Sequence, residues 1–149
     1  AYPNLIEAGF LYLGNRRQAY DARLVVEELG ITHVVDCHDE DQEPAEPHAA
    51  RGVRYHNVRI WDRESANLMP HLKGVVKFIE DARRAPRLRT EGGPEGAATN
   101  RVLVHCNQGV SRSATCVAYW LMKRDGVSAD AATWTVHHAR EVADPNPAF

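Results

Sequence analysis

Residues 101–106 read RVLVHC, and the chain runs on without a linker as NQGVSRSAT into a stretch with helical spacing. This junction limits the fold more than any other part of the chain. The apolar, β-branched run Val102, Leu103, Val104 has the composition of a central strand covered on both faces. A central strand that passes directly into a helix belongs to an α/β sheet, and open α/β sheets bind their ligands outside the carboxyl ends of the strands. The connecting loop aims successive main-chain N–H groups at one point, and the positive end of the helix dipole faces the same point, which makes an anion cradle. Gly109, in the middle, lets the main chain turn where a β-carbon would clash. Cys106 stands at the strand end, where such a cradle favours a thiolate. Six residues on, Arg112 offers the planar fork of donors that matches an oxyanion.

The rest of the chain supplies a scaffold for that junction. Residues 10–13 read as a first strand and 19–29 as a helix with Gly30 at its carboxyl cap. Residues 32–37 (THVVDC) read as a buried strand, 38–52 as an exposed acidic loop with two prolines, and 55–61 as a further strand. Leu68, Leu72, Val75, Val76 and Ile79 keep the spacing of one helical face, so a helix is expected from residue 68 to about residue 84. Residues 86–100, rich in Gly, Pro, Thr and Ala, read as a mobile inserted loop. After the junction, Ala114, Val117, Ala118 and Leu121 mark a helix that ends before Gly126. Ser128 caps another through about residue 141, with Ala132, Val136, Ala139 and Val142 inward. This order predicts a single α/β domain over residues 1–149, with a central, largely parallel sheet flanked by helices.

Bulk properties narrow the function classes. A formal net charge of −2 gives no basic footprint for nucleic acid or anionic membrane. No apolar stretch approaches the roughly 20 residues that cross a bilayer, and the first residues lack the basic-then-apolar pattern of a signal peptide. The three cysteines, Cys37, Cys106 and Cys116, are an odd number without close pairing, which fits a reducing compartment, cytoplasmic or nuclear. The eight histidines show no ligand spacing, so neither a metal nor a cofactor is expected.

The segment HCNQGVSRSAT resembles the H-C-x-x-G-x-x-R-S/T signature of protein tyrosine phosphatases through His105, Cys106, Gly109, Arg112 and Ser113, and the chain as a whole resembles the small dual-specificity phosphatases. GFLYLGNRRQA, ITHVVDC, RVLVHC and the closing PNPAF extend the resemblance along nearly the whole chain. It implies a phosphorylated protein substrate and a nucleophilic Cys106 that forms a thiophosphate intermediate. It further implies phosphate binding by Arg112 and by the main chain of Asn107, Gln108, Gly109, Val110 and Ser111. Ser113 would donate to the departing thiolate, and His105 would hold the loop in shape without acting as a base.

The family takes the leaving-group proton from an aspartate on an upstream loop. Asp62, between the strand YHNVRIW and the helix that starts near residue 68, matches that placement, and Glu64 is its nearest competitor. An acid that starts protonated beside a cysteine that starts ionised predicts activity peaking in mildly acidic solution.

Several residues carry plainer readings beside the functional ones. Cys106 alone would be an inert buried thiol, and Asp62 alone a loop aspartate. Cys37 and Cys116 read as core residues; Cys37, ending a neighbouring strand, is the one able to approach Cys106 as a redox partner. Trp120 and Trp134 read as packing residues. Arg54, Arg59 and Arg63 would draw acidic substrates unless they are ordinary solvated charge. The alternatives are a glycan, RNA 5′-phosphate or phosphoinositide substrate, the last disfavoured because the cradle's variable residues include no lysine, and a non-catalytic phospho-binding module.

Overall fold

A computed structural model describes residues 2–60, 68–106 and 111–143. Five strands form one sheet: β1 (Asn4–Glu7), β2 (Leu11–Asn15), β3 (His33–His38), β4 (Arg54–Arg59) and β5 (Val102–Cys106), in the order β1-β2-β5-β3-β4. β1 pairs antiparallel with β2, and every other pairing is parallel, which agrees with the expected largely parallel sheet. The apolar run of β5 lies in the centre and is buried at all five positions, because both neighbouring strands and both sheet faces cover it.

Helices lie on the two faces. Side chains of one parity, Leu11, Leu13, Val35, Cys37, Val58, Val102 and Val104, pack beneath α2 (Met69–Arg84), α3 (Ser111–Asp125) and α4 (Ala129–Ala143). Those of the other parity, Tyr12, Val34 and Leu103, meet Ala19, Val25, Val26 and Ile31. The 3.6-residue spacing read along α2 buries Leu72, Val75 and Ile79 as expected. Ser128 Oγ accepts from Ala131 N at 3.1 Å and caps α4.

The expected helix over 19–29 is instead two pieces, α1 (Arg16–Tyr20) and a π-helical stretch Arg23–Glu28. Asp21 leaves the helical conformation between them, and its Oδ1 accepts from Leu24 N at 3.2 Å, starting the second piece. Asn15 and Gln18 make a reciprocal capping box at the start of α1. Gly30 does close the segment: its φ is +66°, and a β-carbon there would stand 2.8 Å from Pro94 Cγ.

Trp120 packs as expected, fully buried, with its ring 6.2 Å from that of Phe10 and its Nε1 donating to Glu80 Oε1 at 2.8 Å. Trp134 does not. It is 65% exposed and stacks on His138 at 4.8 Å, because α4 turns only its Ala132 and Val136 side inward and positions 134 and 138 share the outer side.

Residues 86–100 carry no helix or strand, yet the segment is tied down rather than loose. Arg87 donates to Gly30 O and Thr99 O, at 2.9 and 2.8 Å, and Glu91 N donates to Arg51 O at 2.8 Å. Asn100, 2% exposed, closes the excursion by accepting from Leu88 N at 2.7 Å and donating to Ala82 O, Ala85 O and Pro86 O. These knots lie at the amino ends of the strands. Cys106 lies at the other end.

Candidate active site

β5 delivers Cys106 to the carboxyl edge of the sheet, and α3 starts at Ser111, so strand end and helix amino terminus face one another across four residues. Asn107, Gln108, Gly109 and Val110 lie outside the described residues, as do Asp62, Glu64 and Arg63. What is described on either side brings Cys106, Arg112 and Ser113 together. All three are almost completely buried, at 1%, 1% and 0% exposed.

Ser113 Oγ lies 3.1 Å from Cys106 Sγ. A hydroxyl at that distance donates to the sulfur whenever the sulfur is a thiolate. Arg112 Nη1 donates to Asp39 Oδ1 at 2.9 Å and to Ile60 O at 2.7 Å, so its guanidinium reaches from the first turn of α3 to the ends of both β3 and β4. A guanidinium held by two fixed acceptors keeps one orientation, which a rotamer-rich side chain otherwise lacks.

Asp39 is the residue that sequence reasoning missed. It sits one position past β3 in the acidic stretch that had been read as solvated surface, and its carboxylate is only 16% exposed. Arg59 shapes the same stretch by donating Nη2 to Glu40 O at 2.8 Å and Gln42 O at 3.1 Å. Its role is therefore local architecture, and Arg54 lies at the amino end of β4, away from Cys106. A signal for Asp39 existed: an acidic residue immediately after a central parallel strand stands on the ligand edge of the sheet.

On the opposite sheet face from the thiols lies a polar cluster. His105 is 1% exposed, with Nε2 3.6 Å from Asp36 Oδ1 and its ring edge-on to Tyr20 at 6.4 Å. Burial lowers its pKa to about 4 against the opposing hydrogen bond to the Cys106 main chain, so the imidazole is neutral at pH 7. Burial also raises Asp36 to about 6, and neither carboxylate oxygen has a hydrogen-bond partner among the described residues. Two buried groups, one on the strand that carries Cys106 and one on its neighbour β3, are thus held towards their uncharged forms.

The comparisons with known proteins fall on this geometry. Residues 11–149 match the family described as "Dual specificity phosphatase, catalytic domain". Human protein phosphatase Slingshot homolog 3 is 38% identical over 142 residues, 93% of this chain and 18% of its own length. Dual specificity protein phosphatase 1 of Arabidopsis thaliana is 36% identical over 147 residues, 99% of this chain and 65% of its own. Among solved structures, DUSP15 superposes with a TM-score of 0.70 at 27% identity, covering 95% of this chain and 78% of that one. A mouse putative dual specificity phosphatase complexed with zinc tungstate gives 0.68 at 31% identity, covering 99% and 82%. The chain belongs to the dual specificity phosphatase catalytic-domain family. It spans only 13% to 27% of the length of the first four curated relatives.

Proposed function

We propose that this chain is a single catalytic domain that hydrolyses phosphotyrosine and phosphoserine or phosphothreonine monoesters in proteins through a cysteinyl-phosphate intermediate. The observation that carries the reading is the buried contact between Cys106 Sγ and Ser113 Oγ, 3.1 Å apart, beside a fixed Arg112. A sulfur needs a hydroxyl donor at that spot when it must be released as a thiolate, and an inert core thiol does not.

In the first step Cys106 Sγ attacks phosphorus while the bond to the ester oxygen breaks, and Asp62 gives that oxygen a proton. Arg112 and the main-chain N–H groups of residues 107–112 stabilise the equatorial oxygens, where the transition-state charge spreads. In the second step water attacks phosphorus, Asp62 takes its proton, and Ser113 stabilises the departing thiolate. His105, neutral, supports the loop and moves no proton. The closure of Arg112 on Asp39 and Ile60 supplies the orientation that positioning catalysis needs.

The substrate class follows the family, and the cytoplasmic or nuclear setting follows from cysteine usage. No helix among the described residues is long and apolar enough to cross a membrane. The test is hydrolysis of a generic aryl phosphate by wild type and Cys106→Ser, followed by phosphotyrosine and phosphothreonine peptides. Hydrolysis abolished by Cys106→Ser supports the enzyme. No wild-type turnover with tight phosphopeptide binding makes it a binding module instead, and turnover of phosphotyrosine alone removes the dual specificity.

A further inference from the structure

At the amino end of the sheet, away from Cys106, two arginines are held side by side. Arg87 Nη1 donates to Gly30 O at 2.9 Å and to Thr99 O at 2.8 Å, and Arg101 Nη1 donates to Leu29 O at 2.9 Å. Leu29 and Gly30 carry consecutive carbonyls at the carboxyl end of the π-helical stretch, so the two guanidinium groups are neighbours. Burial, and then the Arg101 charge, lower the Arg87 pKa. Arg54 opens β4 on the same edge, and with Arg87 it adds to the burial that lowers His33 to about 4. Glu27 and Glu28, the last acids before those carbonyls, pair with Arg51 and Arg23, and no carboxylate among the described residues pairs with Arg87 or Arg101.

Cations on the last carbonyls of a helix are a common cap, and that accounts for the Nη1 bonds. It leaves other donors unused. Arg101 Nε and Thr90 Oγ1 are buried without a hydrogen-bond partner among the described residues, a costly state for groups of this kind. Thr90 Oγ1 also lies close to Arg87. A β-carbon on Gly93 would stand 2.4 Å from Thr90 Oγ1 and 3.8 Å from Arg87 Nη2, and one on Gly30 would stand 3.2 Å from that same Nη2. Gly93 is not in the left-handed region, so what excludes a side chain there is Thr90 rather than the main chain. The bare α-carbons thus leave a recess bordered by a hydroxyl and a guanidinium.

We propose that Arg87, Arg101 and Thr90 form an oxyanion site at the end of the sheet opposite Cys106, and that it takes a free phosphate-type dianion. The tetrahedral oxygens of such an ion can accept from Arg87 Nη2, from Arg101 and from the Thr90 hydroxyl at once. Its two negative charges offset the two adjoining guanidinium groups, which the capping carbonyls do only in part. The bound ion ties Thr90 of the 86–100 segment to Arg101, just before β5, and through Arg87 to the helix end at Gly30. The site asks nothing of Cys106 and stands whether or not the chain is a phosphatase.

The experiment titrates inorganic phosphate into the whole chain at constant ionic strength, with sodium chloride as the control, and follows main-chain amide resonances by NMR. Wild type should show saturating, phosphate-specific shifts at Leu29, Gly30, residues 90–93 and Arg101, with a dissociation constant separate from that of any shifts around Cys106 and Ser113. Arg87→Gln keeps a donor for Gly30 O but removes the charge, and should weaken binding at the first set on the order of tenfold or more while leaving the second set unchanged. Arg101→Lys keeps the charge without the planar fork and should fall between the two. The rise in unfolding midpoint with added phosphate should be smaller in Arg87→Gln than in wild type. Shifts at the amino end that chloride reproduces, or that persist undiminished in Arg87→Gln, overturn the site. If Arg87→Gln does not fold, the wild-type titration decides alone: saturating, phosphate-specific shifts at residues 90–93 uphold the site, and their absence overturns it.

Discussion

Asp39 and Arg112, 73 residues apart in sequence, meet as a nearly buried ion pair at 2.9 Å. The pair fixes the guanidinium on the edge of the sheet where β5 releases Cys106. Replacing Asp39 with Ala leaves a buried cation without its carboxylate, which should cost about 3 kcal/mol in denaturant unfolding. Asp39→Asn keeps a neutral acceptor and should cost about 1 kcal/mol. Inorganic phosphate or tungstate should recover part of the Asp39→Ala loss by supplying the missing anion. Unfolding midpoints equal to wild type would show the pair to be inert.

Ser113→Ala removes the hydroxyl 3.1 Å from Cys106 Sγ. In the proposed mechanism that hydroxyl acts on the departing sulfur, so the second step should slow while the first proceeds. The expected result is kcat lowered on the order of tenfold to hundredfold, with a burst of product and a trapped phosphoenzyme in rapid-quench experiments. A proportional loss in both steps, without a burst, would place Ser113 elsewhere in the mechanism.

The polar cluster behind the cradle should show itself in stability against pH. Asp36, with a folded pKa of about 6 against 3.8, holds its proton more tightly in the folded state. Its contribution is full below about pH 4 and is lost as pH rises through 6. His33 and His105, lowered from 6.5 to about 4, run the other way: their contribution is present above 6.5 and is lost as pH falls towards 4. Asp36→Asn removes only the first effect. Relative to wild type it should therefore gain about 2 kcal/mol between pH 4 and pH 7. Urea unfolding at the two pH values checks this, and a difference independent of pH would rule out Asp36 as the titrating group.

Asn100→Ala deletes an acceptor for Leu88 N and donors to three carbonyls around the end of α2. A loss of about 2 kcal/mol is expected, because the buried Ala82 carbonyl is left without a donor and three part-buried bonds are lost with it. Catalysis at saturating substrate should be unchanged, since the knot lies at the amino ends of the strands. A matching fall in kcat would show coupling from one end of the sheet to the other.

Much of the fold was legible because it is written locally. The β-branched run of β5 and the spacing of Leu72, Val75 and Ile79 report burial through their own periodicity. What stayed hidden depends on partners distant in sequence. β1 is half polar and is a strand only by pairing with β2. The break at Asp21 hid inside a helical pattern, although the Asn15 and Gln18 capping box signalled a separate short helix. Asp39 looked like one more solvated acid until α3 brought Arg112 across to it. Trp134 misled for the opposite reason, since aromatic character suggests burial and α4 has only one covered side. Of the candidate site, the grouping of Cys106, Arg112 and Ser113 was legible because a strand end and a helix start lie within seven residues of each other, so the chain itself keeps them close.

The knot at Asn100 has a practical side. Gly96, at φ +80°, has nothing within 4 Å of where a β-carbon would stand, although the excursion that carries it is tied down at Arg87, Leu88, Glu91, Thr99 and Asn100. A fluorescent reporter or affinity handle spliced in there would join the chain at the end of β5 opposite Cys106, a strand roughly 16 Å long. The fold thus offers a grafting point at which lineages, or protein engineers, can append new cargo without retuning the chemistry.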